Sequence, residues 1–441
     1  MHLAPWSRPR DRGQKEYVYV IHFVVFPTHS GVASLPIQEW RLATRHLSFR
    51  PGLGGEDGCY KEDVSHPVSA RLNPHYLFLP SRVSLTPATL KPCRLATMAI
   101  TENPQGDGQR AARKVWQPLH PDVRSRLDPQ YLELHDGVLQ YVQPTNEKPW
   151  DPSIRLSAGV STGLGPVPVG STEDIAVGNF KIRVYTPQTG RPDEGWPVFI
   201  WLHGGGFALG DLGSDDDLLT RVCQEARCVV CTIGYRLAPE HKYPAAVEDS
   251  VEGTRWILSP DGIGRLGLDR SRVAIGGVSA GAHLAAATCL HWADGDLAGV
   301  EPLLQILVVP VVDNTALPSS ERWSLNGPTA PGLTPERMLW YRRMWLKEET
   351  DDALNWDASI DRAPVELLAK MPRAFVAVAE LDLLAPEGVD FADQMRAAGV
   401  EVEIKVFTGC PHALLSYAGW MDKGKELLYD CVDRVKGAFA S

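Results

Sequence analysis

The chain has 441 residues, 44% hydrophobic and 22% charged, which supplies apolar material for a large core. Its formal net charge of -10 argues against nucleic acid or an anionic membrane surface as partners, since both select basic faces. Eight cysteines, at 59, 93, 223, 228, 231, 289, 410 and 431, make no disulfide framework in a chain of this size and fit a reducing, cytoplasmic compartment.

The charge is unevenly placed. Residues 1–97 hold 12 Lys+Arg against 7 Asp+Glu, leaving 32 against 47 for the rest, and they carry 6 of the 13 histidines with no sustained period of 2 or 3.6. Such a segment reads as a poorly structured extension. Its apolar run, Tyr17 to Phe26, is too short to span a bilayer and is broken by His22. Arg8, Arg10, Arg12 and Lys15 precede that run as in a signal peptide, but the cleavage signal around Ala33 is weak. The composition break stands beside Met98-Ala99, so the expectation is an upstream extension, from a mis-assigned start, with the functional protein beginning near Met98.

Residues 98–170 read as an N-terminal helical segment and linker. Pro121 and Pro129 stand at the starts of two short helices carrying Val123, Leu127, Tyr131, Leu132 and Leu134, and a Ser/Gly/Pro-rich loop runs from Asp151 to Gly170. From residue 171 to 441 strands and helices alternate, an α/β pattern. Phe180 to Val184 has period 2 and suits a half-exposed edge strand. The runs Val198 to Leu202, Val229 to Ile233, Val273 to Gly277, Leu303 to Val309 and Phe375 to Ala379 are almost continuously apolar, as in a mostly parallel sheet covered on both faces. Helices are expected at Asp215 to Ala226, Ala245 to Leu258, Ala280 to Trp292, Gly388 to Ala398 and from Gly424. Cys228 and Cys231 sit in a strand-like run and no second cysteine or histidine pair completes a tetrahedral set, so neither metal nor cofactor is expected.

An insertion at about 314–370 interrupts the alternation. Thr334-Pro335-Glu336 opens a helix bearing Met338, Trp340, Tyr341, Met344 and Trp345, which could pack on the core or cap a site.

Three segments carry the chemistry. Gly277-Val278-Ser279-Ala280-Gly281 places a G-x-S-x-G motif between a strand-like and a helical run, the context of a nucleophile elbow. His203-Gly204-Gly205-Gly206-Phe207 follows a strand, so Gly204, Gly205 and Gly206, with Ala280, are candidates for amides that bind a developing oxyanion. A serine needs a base, and the base an orienting acid. His283 shares the helix after Ser279 and His291 lies near its far end, which leaves His412, in the loop after Val402 to Phe407. Glu380-Leu381-Asp382 follows the strand Phe375 to Ala379; Asp382 is preferred as the acid, with Glu380 the alternative and Asp313 structural.

Together with Tyr235-Arg236-Leu237-Ala238-Pro239-Glu240-His241-Lys242-Tyr243-Pro244-Ala245-Ala246, these segments resemble the hormone-sensitive-lipase-like branch of the α/β hydrolases over about residues 115–441. The resemblance implies an eight-stranded, mostly parallel sheet flanked by helices, a helical cap, and carboxylesterase activity through Ser279, His412 and Asp382. It assigns the oxyanion amides to Gly205, Gly206 and Ala280, and makes Tyr235 to Ala246 a structural turn with Arg236, Glu240 and His241 as scaffold. Val278 and Ala282 stand where the family has Asp and Gly, which bears on acyl-chain preference. The expected substrate is a small-molecule ester of small to medium acyl chain, without cofactor. Lactone opening, amide cleavage or acyl transfer would use the same triad. A non-catalytic hormone receptor of this fold would lack the histidine that His412 supplies. Homo-oligomerisation is left open. Mass spectrometry of the natural N-terminus is expected to find no abundant peptides from residues 1–90; their presence would refute the extension.

Overall fold

The computed structural model describes residues 113–157, 164–295 and 300–440, together with a two-residue antiparallel pairing of Pro5–Trp6 with Val18–Tyr19. The rest of the expected extension, 1–97, and Cys59 and Cys93 lie outside the described residues. The chain divides into residues 1–105 and 106–441, and the large sheet and its helices belong to the second unit.

Eight strands form one sheet: β1 (Ser171–Val177), β2 (Phe180–Thr186), β3 (Trp196–Leu202), β4 (Val229–Gly234), β5 (Leu268–Val278), β6 (Leu304–Val308), β7 (Ala374–Ala379) and β8 (Val402–Phe407). Their order is β8-β7-β6-β5-β3-β4-β2-β1. β1 and β2 pair antiparallel, as do β2 and β4, and every other pairing is parallel. The apolar runs occupy the centre: every residue of β3, β6 and β7 is buried. Successive side chains of β3 point to opposite faces, so Phe199 and Trp201 belong to one core cluster while Val198, Ile200 and Leu202 belong to the other.

Phe180–Thr186 is not the edge strand expected from its period. Ser171–Val177 takes the edge, held by backbone pairing from Ser171↔Thr186 to Val177↔Phe180. Its first four residues are exposed and polar, so no burial pattern announces it. The signal available was the two-residue hairpin Gly178-Asn179, where Gly178 has φ 53°.

The helices, in chain order, are α1 (Pro121–Arg124), α2 (Pro129–Gly137), α3 (Asp216–Glu225), α4 (Ala245–Ile257), α5 (Pro260–Leu266), α6 (Ala280–Ala293), α7 (Glu321–Ser324), α8 (Pro335–Trp345), α9 (Glu349–Asp352), α10 (Val365–Leu368), α11 (Ala385–Ala397) and α12 (Asp422–Ala440). α3 and α12 cover one sheet face; α4, α6 and α11 cover the other. α11 starts before the expected Gly388 because Pro386 fits a first helical turn, whose N–H groups need no intrahelical partner.

α7 to α10 belong to the insertion, and α8 takes both roles left open for it. Trp345 is fully buried and stacks on Phe207, ring centroids 3.7 Å apart at 8°. The Trp345 carbonyl accepts the Tyr243 N–H at 2.8 Å. One and two turns earlier, Tyr341 and Met338 line a cavity over the sheet. Trp340 meets Trp150 at 6.0 Å, which joins the insertion to the segment before the sheet. Trp345→Ala is expected to cost about 3–5 kcal/mol through the void left against Phe207, read as a lowered urea midpoint.

Candidate active site

Ser279 stands between β5 and α6 at φ 57°, ψ −117°, a strained conformation for a residue with a side chain. The turn is held from both sides: Ser279 N–H donates to Val308 O at 2.8 Å, and Ser279 O accepts His283 N–H at 3.1 Å. The flanking glycines are steric requirements. A Cβ at Gly281 would enter the carbonyl of Leu202, and one at Gly277 would stand 2.7 Å from Ala282 N with the Gly281 carbonyl nearer still. Strand and helix can pass this closely only without side chains.

His412 Nε2 lies 2.8 Å from Ser279 Oγ, and His412 Nδ1 lies 2.7 Å from Asp382 Oδ2. A carboxylate only accepts, so Nδ1 carries the proton and Nε2 offers a lone pair to the serine hydroxyl. Asp382 is 1% exposed, and its other oxygen accepts Leu384 N–H at 3.1 Å. Glu380, the alternative acid, faces elsewhere. It accepts Gly409 N–H at 2.7 Å and pairs with Arg126 at 3.1 Å, contacts that hold its carboxyl below the usual range and brace the loop carrying His412.

The other candidates are structural. The ring nitrogens of His283 face Val311 O at 3.1 Å and Asp357 O at 3.0 Å, and burial pulls its pKa down. His291 stands 3.5 Å from Asp357. Asp313 accepts Thr315 N–H and pairs with Arg322. Cys223, Cys228 and Cys231 are buried free thiols; burial pushes Cys223 up to about 12.

The glycine loop rests on the elbow. A Cβ at Gly204 would lie 3.0 Å from Val278 O and 3.6 Å from Ser279 Cβ. Gly205 has φ 115° and Gly206 φ 60°; a side chain on Gly206 would overlap the Tyr341 ring of α8. The N–H groups of Gly205, Gly206 and Ala280 take no acceptor among the described residues. His203 stiffens the loop from below: its ring stacks on Tyr235 at 4.3 Å, Nδ1 contacts Gly204 O at 2.8 Å, and Tyr235 Oη donates to His203 O at 2.8 Å. Burial lowers the His203 pKa and keeps the ring neutral. Tyr235 thus gives the Tyr235 to Ala246 segment a share in the site. Arg236 chelates Asp249 and Glu240 pairs with Arg155, as scaffold.

Ser279, His412 and the glycine loop open into a cavity of about 1420 Å³, roofed by α8 and walled by residues 116–147. Val278 lines its floor, whereas Ala282 is wholly buried behind the elbow.

Two supports carried no sequence signal because they act across chain distance. Asn326 Nδ2 donates to Glu380 O at 2.9 Å and Asp382 O at 2.7 Å. Glu387, fully buried on α11, accepts Val312 N–H at 3.2 Å, Asp313 N–H at 3.0 Å and Trp323 Nε1–H at 2.7 Å. Burial pushes its carboxyl up to about 7. No helix among the described residues is long and apolar enough to cross a membrane.

Residues 199–416 match the model of a family described as having the alpha/beta hydrolase fold. An AB hydrolase superfamily protein of Schizosaccharomyces pombe is 34% identical over 337 residues, 73% of this chain and 97% of the relative. Esterase LipI of Mycobacterium tuberculosis is 32% identical over 309 residues, 68% of this chain and 89% of the relative. A solved esterase of Pyrobaculum calidifontis, 30% identical, superposes with a TM-score of 0.62 over 70% of this chain and 98% of its own.

The raised Glu387 pKa sets a pH dependence. Its folded value lies above the ordinary 4.5, so its contribution is full below that value and is lost as pH rises through about 7. The thermal-stability advantage of wild type over Glu387→Gln is therefore expected to be largest at and below pH 4.5, to shrink as pH rises from there to about 7 and to level off above it; an advantage that grows with pH would contradict the sign.

Proposed function

The chain belongs to the hormone-sensitive-lipase-like family of α/β hydrolases and is a carboxylesterase-type serine hydrolase, and from that premise we propose that Ser279, His412 and Asp382 are its nucleophile, base and acid. The observation that carries the proposal is the continuous contact from Asp382 Oδ2 through His412 to Ser279 Oγ, at 2.7 Å and 2.8 Å. His412 Nε2 takes the hydroxyl proton as Oγ attacks the ester carbonyl, and the buried Asp382 carboxylate stabilises the resulting imidazolium. The N–H groups of Gly205, Gly206 and Ala280, with Gly204 shaping the turn that aims them, receive the oxyanion. The His412 proton then passes to the leaving alcohol, and the neutral imidazole activates water to cleave the acyl-enzyme.

In this reading the insertion at about 314–370 and the segment 98–170 form the cap. The substrate is an ester of small to medium acyl chain, supported by the Tyr341 ring lying against Gly206, with Met338 in the wall of the same cavity. A cytoplasmic location is supported by six free cysteines among the described residues, which fit a reducing compartment.

Ser279→Ala and His412→Ala are each expected to lower kcat on p-nitrophenyl butyrate by about four to six orders of magnitude. A fluorophosphonate probe should label wild type at Ser279 and leave Ser279→Ala unlabelled. Unchanged turnover by Ser279→Ala would refute the assignment.

A further inference from the structure

Two guanidiniums in the cavity wall, Arg337 and Arg342, have no ion-pair partner among the described residues; Arg342 is buried and donates to the Ala316 and Asp313 carbonyls, which leaves Arg337. Arg337, half-buried on α8, donates from Nε to Asn146 Oδ1 at 3.1 Å and from Nη2 to Gln117 Oε1 at 3.2 Å. Both acceptors are neutral amides. Gln117 is oriented for this contact, because its own amide donates to Leu139 O at 3.1 Å and Val142 O at 2.8 Å, which turns its oxygen towards the arginine. Among the described residues no carboxylate lies within 4.0 Å of Arg337. The comparison with Arg155, in the wall of the same cavity, is direct: that residue is paired with Glu240.

The position of Arg337 costs the fold something. It is the third residue of α8, behind the Thr334 cap, where the helix dipole favours a negative charge over a positive one. Partial burial removes water from the guanidinium, and amide oxygens restore only part of that loss. Three phenols complete the surroundings. Tyr131, Tyr341 and Tyr417 line the same cavity, each lies within the electrostatic reach of Arg337, and none of their hydroxyls has a hydrogen-bond partner among the described residues. A fixed cation with free donors around it, in a chain of net charge -10, is a receptor for a small anion.

We propose that the cavity takes esters whose acyl or alcohol portion ends in a carboxylate, with that carboxylate seated on Arg337 while the ester carbonyl lies at Ser279. The proposal rests on the hydrolase reading of Ser279. Bound this way, the substrate carboxylate supplies the missing counter-charge and sits at the end of α8 whose dipole favours it. Neutral esters of the same length leave the guanidinium uncompensated and displace its residual water. Arg337 is a specificity residue, separate from the reacting groups.

The test uses the full chain and two matched ester pairs. Mono-p-nitrophenyl adipate and its methyl-capped counterpart differ in charge on the acyl side; para-butyryloxybenzoate and its methyl ester differ on the alcohol side. For at least one pair, the charged-to-neutral ratio of kcat/KM, corrected for spontaneous hydrolysis, should be about ten to a hundred, mostly in KM, as expected for a hydrogen-bonded ion pair. Arg337→Met should bring that ratio to about one or below. Arg337→Lys should keep part of it, with stronger dependence on salt. A wild-type ratio of one or less on both pairs overturns the proposal without recourse to any variant, as does an Arg337→Met ratio equal to that of wild type. Hydrolysis of p-nitrophenyl butyrate separates the two readings. If that ester is cleaved and the ratios are flat, only the carboxylate site fails; if it is not cleaved and Ser279 resists fluorophosphonate, the hydrolase assignment fails.

Discussion

The close passage of β5 against α6 at Ser279 is the constraint on which the rest of the site depends. Gly281 touches the end of β3 at the Leu202 carbonyl, and Gly277 touches the start of α6. With strand and helix this close, Ser279 is pinned to Val308 of the neighbouring β6 and lies against Gly204. Three adjacent strands therefore deliver their C-terminal ends to one point, the place where open parallel sheets collect reacting groups. The backbone strain at Ser279 persists because both faces of the turn are hydrogen-bonded to rigid elements.

Around that point the polar groups are arranged in tiers, each orienting the next. Asp382 orients His412; Leu384 N–H and Asn326 orient the Asp382 segment. Glu380 ties the His412 loop to Arg126, whose backbone packs beside Gly409. Glu387 joins α11, the loop after β6 and Trp323 of the insertion through three hydrogen bonds to one buried carboxyl. Buried polar groups of this kind specify a single arrangement, because each unmade hydrogen bond would cost more than its formation contributes. The insertion is thereby connected to the Asp382 segment as well as to the cavity, and its position bears on the geometry of the Asp382–His412–Ser279 contacts.

The aromatic contacts divide α8 into an anchor and a wall. Trp345 on Phe207 fixes its C-terminal end directly after the glycine loop. Tyr341 lies on Gly206, so the helix sits as close to the loop as van der Waals contact permits. Arg337, one turn further from the anchor, reaches the segment before the sheet through Gln117 and Asn146. Val278 contributes a branched apolar surface to the floor of the same cavity.

The α/β class, the central strands and most helices are legible in the chain alone, because continuous apolar runs and amphipathic periods are local consequences of burial. So are the identity and order of Ser279, Asp382 and His412 as candidates, since the elbow and the glycine loop need residue types that few other structures require. Ser171–Val177 is not legible as the edge strand, because an edge strand is held by backbone pairing and needs no apolar pattern. The folded arrangement was needed to separate Asp382 from Glu380, two residues apart at the end of one strand. Both lie past the last residue of β7, where strand alternation no longer sets side-chain direction, and which of the two meets the histidine depends on where the loop after β8 returns. Asn326, Glu387 and the pairing of Arg337 with neutral amides were likewise invisible. Each joins residues 54 or more positions apart, in the case of Arg337 as many as 220, and hydrogen bonds over such separations leave no periodic trace in the chain.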